Sequence, residues 1–139
     1  MFSYRGLTII LSTLLFFSSA VSALTTQERD LAWAAGEYYA AILLAREFKK
    51  TRCGQISIDQ KWTDTNRARR ELRAKFPAHM KKDIDNDKDW ATFEKTMLQN
   101  VQKVIDSLNS PKFRNVDCKQ IQGVFWESFN TAVTRWERF

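Results

Sequence analysis

The sequence predicts an all-α protein: a four-helix up-down-up-down bundle with one disulfide, preceded by a cleaved signal peptide. Three observations support this fold class. Only three glycines and two prolines follow residue 23, apolar residues recur every three or four positions, and capping motifs stand before the apolar runs. Four helices with short connections pack most simply when neighbours run in opposite directions.

The amino-terminal segment has the pattern of an export signal. Arg5 precedes an apolar stretch from 7 to 17, and Val21-Ser22-Ala23 offers the small residues that signal peptidase requires. The stretch is too short to span a bilayer core of about 30 Å comfortably, which disfavours an uncleaved anchor. We therefore expect residues 1–23 to be a signal peptide and residues 24–139 to be one exported helical domain, periplasmic or secreted.

Helix one begins at a Thr-x-x-Glu capping box formed by Thr25 and Glu28. We expect it to run to about Cys53, because Gly54 suits a helix end. A second box, from Ser57 to Gln60, predicts the start of helix two, which Pro77 ends. Its predicted apolar face is Ile58, Trp62, Thr65, Leu72 and Phe76.

Helix three follows a polar passage, with a predicted helical turn at 78–82 and an aspartate-rich start. It ends at Asn109-Ser110-Pro111. Its apolar stripe is Trp90, Phe93, Met97, Val101, Val104, Ile105 and Leu108. Helix four begins at Asp117, with Val116 placed to pack on Ile121. Its buried face is Ile121, Val124, Phe125, Phe129, Ala132, Val133 and Trp136.

Cys53 and Cys118 are the only cysteines of the chain. In an oxidising compartment two such thiols form a structural disulfide more often than a redox or metal site. The end of helix one and the start of helix four lie at the same end of an up-down-up-down bundle, so the topology brings the two cysteines together. Closing this loop lowers the entropy of the unfolded chain by an equivalent of about 4 kcal/mol.

Helix one is apolar on several sides, since Glu37 is the only charged residue between 31 and 45. One interpretation makes it the central helix of the bundle. The other leaves one side exposed as a docking surface that includes Glu37, Tyr38 and Tyr39, because Tyr and Trp are favoured at interfaces. A carboxylate in such a helix needs a donor, a proton or a partner.

Helix two carries a basic run: Arg67, Arg69, Arg70, Arg73 and Lys75. We expect Arg67, Arg70 and Arg73 to contribute to partner binding, with an acidic protein or a membrane surface as the target. Nucleic acid is not expected, because no stacking aromatic interleaves with these residues. Of 22 Lys and Arg only Arg5 lies in the predicted signal, so residues 24–139 carry 21 against 16 acidic residues, a net charge of +5.

An acidic segment partly matches a calcium-binding loop. The spacing is that of EF-hand ligands. The candidate ligands are Asp83, Asp85, Asp87, Asp89 and Glu94. Lys88 stands where the sharp turn needs glycine, and alternating aspartates also favour a helix start. We therefore predict neither a metal nor a cofactor.

No catalytic constellation is recognisable. The single histidine, His79, has no serine or cysteine motif near it, and phosphate-binding loops are absent. In size, compartment and fold the chain resembles periplasmic inhibitors, immunity proteins and envelope adaptors, although no motif identifies a family. We therefore expect a non-enzymatic protein that binds another protein. The alternative is a carrier of an apolar ligand or lipid, with an internal pocket lined by aromatic side chains. Those side chains are Trp33, Trp62, Trp90, Phe125 and Trp126.

Overall fold

The computed structural model describes residues 24–139, in which the chain is helical and contains no strand. The predicted all-α class and the Cys53–Cys118 disulfide are confirmed. The described residues form five α-helices rather than the predicted four, with a 3-10 turn before the second and another before the fifth. The helices are α1 (Thr26–Phe48), α2 (Thr65–Lys75), α3 (Ala78–Asp85), α4 (Asp87–Leu108) and α5 (Cys118–Glu137). The predicted signal peptide, residues 1–23, lies outside the described residues.

The capping box at the start of α1 is confirmed. Thr25 Oγ1 accepts a hydrogen bond from the Glu28 backbone N–H at 3.1 Å, and the Glu28 carboxylate accepts one from the Thr25 N–H. The helix ends at Phe48, five residues before the predicted end, because bonds between residues three apart tighten the chain from Lys50 onwards. Gly54 then passes so close to α1 that a Cβ there would lie 2.4 Å from the Lys49 carbonyl oxygen.

The prediction that Ser57 starts the second helix is wrong. Two aspartates compete for that role: Asp59 caps a 3-10 turn at Gln60–Thr63, and the Asp64 side chain accepts a hydrogen bond from the Arg67 N–H to cap α2. The turn directs Trp62 onto Phe129 of α5, with ring centroids 5.8 Å apart. This aromatic contact and the two caps favour a short turn over an extra helical segment.

α3 is a full helix where the sequence predicted a single turn. Pro77 precedes it, and Met80 and Ile84, four residues apart, are both buried. Asn86 ends α3 and caps α4, because its side chain accepts a hydrogen bond from the Asp89 N–H. The acidic segment therefore belongs to two helices joined by one residue.

α4 and α5 follow the predicted apolar faces closely. Asp117 caps α5 as predicted, and its side chain accepts a hydrogen bond from the Lys119 N–H at 3.0 Å. Val104 and Leu108 of α4 and Val124 of α5 are only partly buried. The fully buried members of both faces are Trp90, Phe93, Met97, Val101, Ile105, Ile121, Phe125, Phe129, Ala132, Val133 and Trp136.

Contacts between rings show how the helices run. Tyr38 stacks on Trp136 and Phe48 stacks on Phe125, so α1 and α5 are antiparallel. The disulfide joins them at one end, which we call the disulfide end; the opposite end, with the start of α1 and the close of α5, is the terminal end. α2 runs with α5, because Trp62 just before α2 packs on Phe129 and Lys75 at its close donates to the Trp136 carbonyl. α4 runs with α1, because Trp90 at its start packs on Tyr39, whereas Phe113, just after its close, meets Arg52 at the disulfide end.

α1 is the central helix. It contacts α2, α4, α5 and the first 3-10 turn, and every residue from 31 to 48 is buried except Trp33 and Arg46. Its alanines permit the neighbouring helices to approach on several sides. Among the described helices, none combines the length and apolarity needed to cross a membrane.

Candidate partner-binding surface

Tyr38 and Tyr39 are inside the protein, so the prediction that they line an exposed docking surface is wrong. Their exposed fractions are 1% and 0%. Tyr38 donates its hydroxyl hydrogen to Glu71 of α2, and Tyr39 donates to Glu94 of α4. Burial raises the pKa of both phenols, and the hydrogen bonds to these carboxylates raise it further. The two residues join α1 to its neighbours.

Glu37, the single charged residue in the apolar part of α1, is paired with Arg135 of α5. Its exposed fraction is only 8%, whereas the Arg135 side chain is 47% exposed. The second carboxylate oxygen, Oε2, is buried and has no hydrogen-bond partner. The buried Glu37 carboxylate therefore fixes the position of the partly exposed Arg135 guanidinium.

Carboxylates of the protein itself neutralise most of the predicted basic face of α2. Arg67 pairs with Glu71 at 2.7 Å, and Arg73 makes two hydrogen bonds to Asp85, at 2.6 and 3.0 Å. The bond to Arg73 lowers the pKa of the Asp85 carboxyl. Arg70 is the one member of the predicted trio without a charged partner among the described residues. The three arginines therefore do not form one free cationic site.

The candidate calcium ligands are also distributed among other contacts. Asp83 and Asp85 belong to α3, whereas Asp87 and Asp89 lie in the first turn of α4. Asp85 pairs with Arg73, Asp87 pairs with Arg69 at 3.0 Å, and Glu94 accepts the bond from Tyr39. Within residues 24–139, no three His, Cys, Asp or Glu side chains come together as a metal-binding group.

The exposed aromatic residues lie at the terminal end. Trp33 is 38% exposed and Phe139 is 47% exposed, and they are the large hydrophobic residues that the described part of the chain leaves exposed. Trp33 precedes Glu37 by one helical turn on the same face of α1, while Phe139 follows Arg135 by four residues. Because α1 and α5 are antiparallel and Glu37 contacts Arg135, both aromatics lie on the terminal-end side of this ion pair.

We call this region the Trp33 surface, and define it by Trp33, Arg135, Arg138 and Phe139. An open depression of about 310 Å³ continues it along α5, lined by Asn130, Thr131, Thr134, Arg135 and Arg138. The other tryptophans are more buried, and each packs against another aromatic ring. Sequence reasoning named Trp33 as a pocket residue but not among the predicted partner-binding residues; its position one turn from Glu37 was the signal that could have identified it.

His79, the single histidine, lies on α3 and contacts Glu28 at 3.1 Å. Comparisons with protein-family models, with curated proteins and with solved structures find no match to this chain. A functional proposal therefore rests on the chemistry of the surface itself.

Proposed function

We propose that this protein is an exported, non-enzymatic module that binds another protein through the Trp33 surface. The observation that carries the proposal is the exposure of Trp33 within residues 31–48 of α1, where every other residue except Arg46 is buried. Tryptophan, tyrosine and arginine are enriched among binding hot spots, and the Trp33 surface contains a tryptophan and two arginines.

The ion pair beneath the surface supports this proposal. A free arginine side chain loses conformational entropy when a partner immobilises it, and this loss weakens binding. Arg135 is already fixed by the buried Glu37 carboxylate, so less of this entropy remains to be lost. Glu37 thus acts as a positioning residue, and Trp33 provides the apolar contact area.

The charge of the surface indicates the kind of partner. Arg138 is exposed and makes no ion pair among the described residues, Arg135 shares its charge with Glu37, and the domain as a whole is basic. A partner with acidic groups around an apolar groove would be complementary to it and would associate faster for that reason. An inhibitor, an immunity protein or an envelope adaptor would act in this way, by occluding the partner's groove.

Export is part of the same proposal. The predicted signal peptide at residues 1–23 supports it, and the disulfide between the chain's two cysteines is compatible with an oxidising compartment. Periplasmic and secreted locations both satisfy these features.

The carrier hypothesis has less support. Of the five aromatics suggested to line a pocket, four pack against other rings: Trp62, Trp90, Phe125 and Trp126. Phe125, for example, stacks on Phe48 with ring centroids 4.6 Å apart. A carried ligand would have to displace these contacts, whereas a protein partner at Trp33 would displace none of them.

The Trp33→Ala substitution tests the proposed function. We expect the dissociation constant of the complex, isolated from the native host, to rise about 30-fold, because truncation of a hot-spot tryptophan costs 2 kcal/mol or more. The melting temperature should fall only modestly, because Trp33 lies at the surface and outside the buried core. Calorimetric titration measures the first quantity and thermal unfolding the second.

The matched control is Arg70→Ala, an exposed residue of α2 without a charged partner among the described residues. We expect this variant to bind as the wild-type protein does. The proposal fails if Trp33→Ala retains wild-type affinity, or if Arg70→Ala weakens binding more than Trp33→Ala.

A further inference from the structure

A second charged surface lies at the disulfide end, on the segments 49–52 and 112–119. These segments contain six cationic side chains and one carboxylate, Asp117, and all seven of these residues are exposed. We call the six cations the basic end. They are Lys49, Lys50, Arg52, Lys112, Arg114 and Lys119.

The basic end is assembled from two parts of the chain that lie far apart in sequence. The Cys53–Cys118 disulfide holds them with a Cα–Cα distance of 5.1 Å. Arg52 adds a second link, since its Nη2 donates to the carbonyl oxygens of Phe113 at 2.6 Å and Val116 at 3.1 Å. The two segments are therefore fixed as one surface.

Few negative charges compensate this surface. Asp117 is turned to the backbone of α5 as its cap, Glu47 binds Arg46 and Lys50, and Asp106 accepts a hydrogen bond from Gln102. Even with these three flanking carboxylates counted, the cations outnumber them two to one. Lys49, Arg114 and Lys119 have no side-chain partner among the described residues, so their charges face the solvent.

We propose that the basic end binds the surface of an anionic phospholipid membrane through lipid phosphate groups. This proposal goes beyond the function proposed above and uses different residues. Trp33 and the end of α1 are 15 residues apart, or about 22 Å along the helix axis. A protein held by its basic end therefore keeps the Trp33 surface away from the bilayer.

The arrangement of the cations favours a membrane over other polyanions. Four of the six are lysines, which act as separate point charges and suit a plane of mobile phosphates. An arginine fork instead binds one anionic group in a fixed geometry. The fork of Arg52 is already engaged within the protein, where it donates to the Phe113 carbonyl oxygen. Phe113, the one aromatic in the two segments, is half-buried beside Lys112, so no exposed ring there can stack on a nucleic acid base.

Vesicle binding tests the proposal. Wild-type residues 24–139 should sediment with phosphatidylcholine vesicles that contain about one third phosphatidylglycerol, and not with pure phosphatidylcholine. The triple variant Lys49→Gln, Arg114→Gln, Lys119→Gln should bind the anionic vesicles about 100-fold more weakly, since each cation near a membrane contributes about fivefold. These three side chains are exposed and make no hydrogen bond or ion pair among the described residues, so the fold should persist.

A control variant removes the same charge elsewhere. The triple variant Lys82→Gln, Lys88→Gln, Lys95→Gln changes exposed lysines near the start of α4 and should bind within about threefold of wild type, because these charges lie beyond the screening length from the basic end. Equal loss in both triple variants would overturn the proposal. So would binding to pure phosphatidylcholine, or binding to soluble heparin without binding to anionic vesicles.

The two proposals can fail separately. Trp33→Ala should bind anionic vesicles as the wild-type protein does, while the triple variant of the basic end should still bind the protein partner in solution. Loss of vesicle binding in Trp33→Ala would show that the membrane contact is at the wrong end and would overturn the proposal for the basic end.

Discussion

Tyr38 and Tyr39 place two adjacent phenols inside the protein, and each hydroxyl donates to a carboxylate of a different helix. They are the only tyrosines in residues 24–139. Their neighbours Glu71 and Glu94 could not be assigned from the sequence, because the pairing depends on how α2 and α4 are rotated against α1. The sequence left open whether Glu37 finds a donor, takes up a proton or faces a partner; the donor is Arg135, 98 residues further along the chain.

The buried phenols predict a dependence of stability on alkaline pH. Both folded-state pKa values lie above the usual tyrosine value of about 10, chiefly because of burial. The stability that these groups contribute is therefore fully present below pH 10 and decreases as the pH rises further. The urea midpoint of residues 24–139 should fall as the pH rises from about 10 to about 12, and tyrosinate absorbance should appear only on unfolding.

The double variant Tyr38→Phe, Tyr39→Phe is the control, because lysines also titrate in this range. It should show a smaller fall in urea midpoint over the same pH interval. A wild-type protein that ionises both tyrosines at pH 10 while still folded would contradict the burial and hydrogen bonding described for them.

At the scale of elements, capping signals and periodicity predicted α1, α4 and α5 well, because local hydrogen bonds and one apolar stripe determine each of these helices. The second helix begins later than predicted, because two aspartates follow Ser57 and act as the caps. Asp59 caps the 3-10 turn, and Asp64 caps α2. α3 was underestimated: its two buried residues, Met80 and Ile84, are too few to give a recognisable stripe.

The two competing caps can be compared directly. Asp64→Ala should lower the free energy of unfolding by about 1 kcal/mol, because the Arg67 N–H loses its acceptor. Ser57→Ala should have almost no effect, since Ser57 lies outside the helices. Urea unfolding of both variants measures the difference. A larger loss for Ser57→Ala would mean that α2 begins where the sequence alone suggested.

For the whole molecule, the sequence correctly predicted that Cys53 and Cys118 meet, because alternating helix directions place the end of the first helix beside the start of the last. Which aromatic residue of α1 is exposed, and so where the partner-binding surface lies, could not be predicted in the same way. Tyr38, Tyr39 and Trp33 share one apolar helix, and only the packing of the other helices decides which of them is covered.

The disulfide should contribute to the stability of the domain through the unfolded state. Replacing both cysteines by alanine should lower the free energy of unfolding by about 2–4 kcal/mol, because the long loop between them is no longer closed. Comparison of urea unfolding for the oxidised wild type and this variant measures the change. An unchanged midpoint would show that the bond does not constrain the unfolded chain as the loop length implies.

The assignment of partner binding to the Trp33 surface is tested most directly by site-specific photo-crosslinking. A photoreactive phenylalanine analogue is placed at position 33 in one variant and at position 70, on the basic face of α2, in another, and each is irradiated with the partner bound. We predict efficient cross-linking from position 33 and little from position 70. Cross-linking from position 70 without cross-linking from position 33 would contradict the assignment and would place the partner on α2.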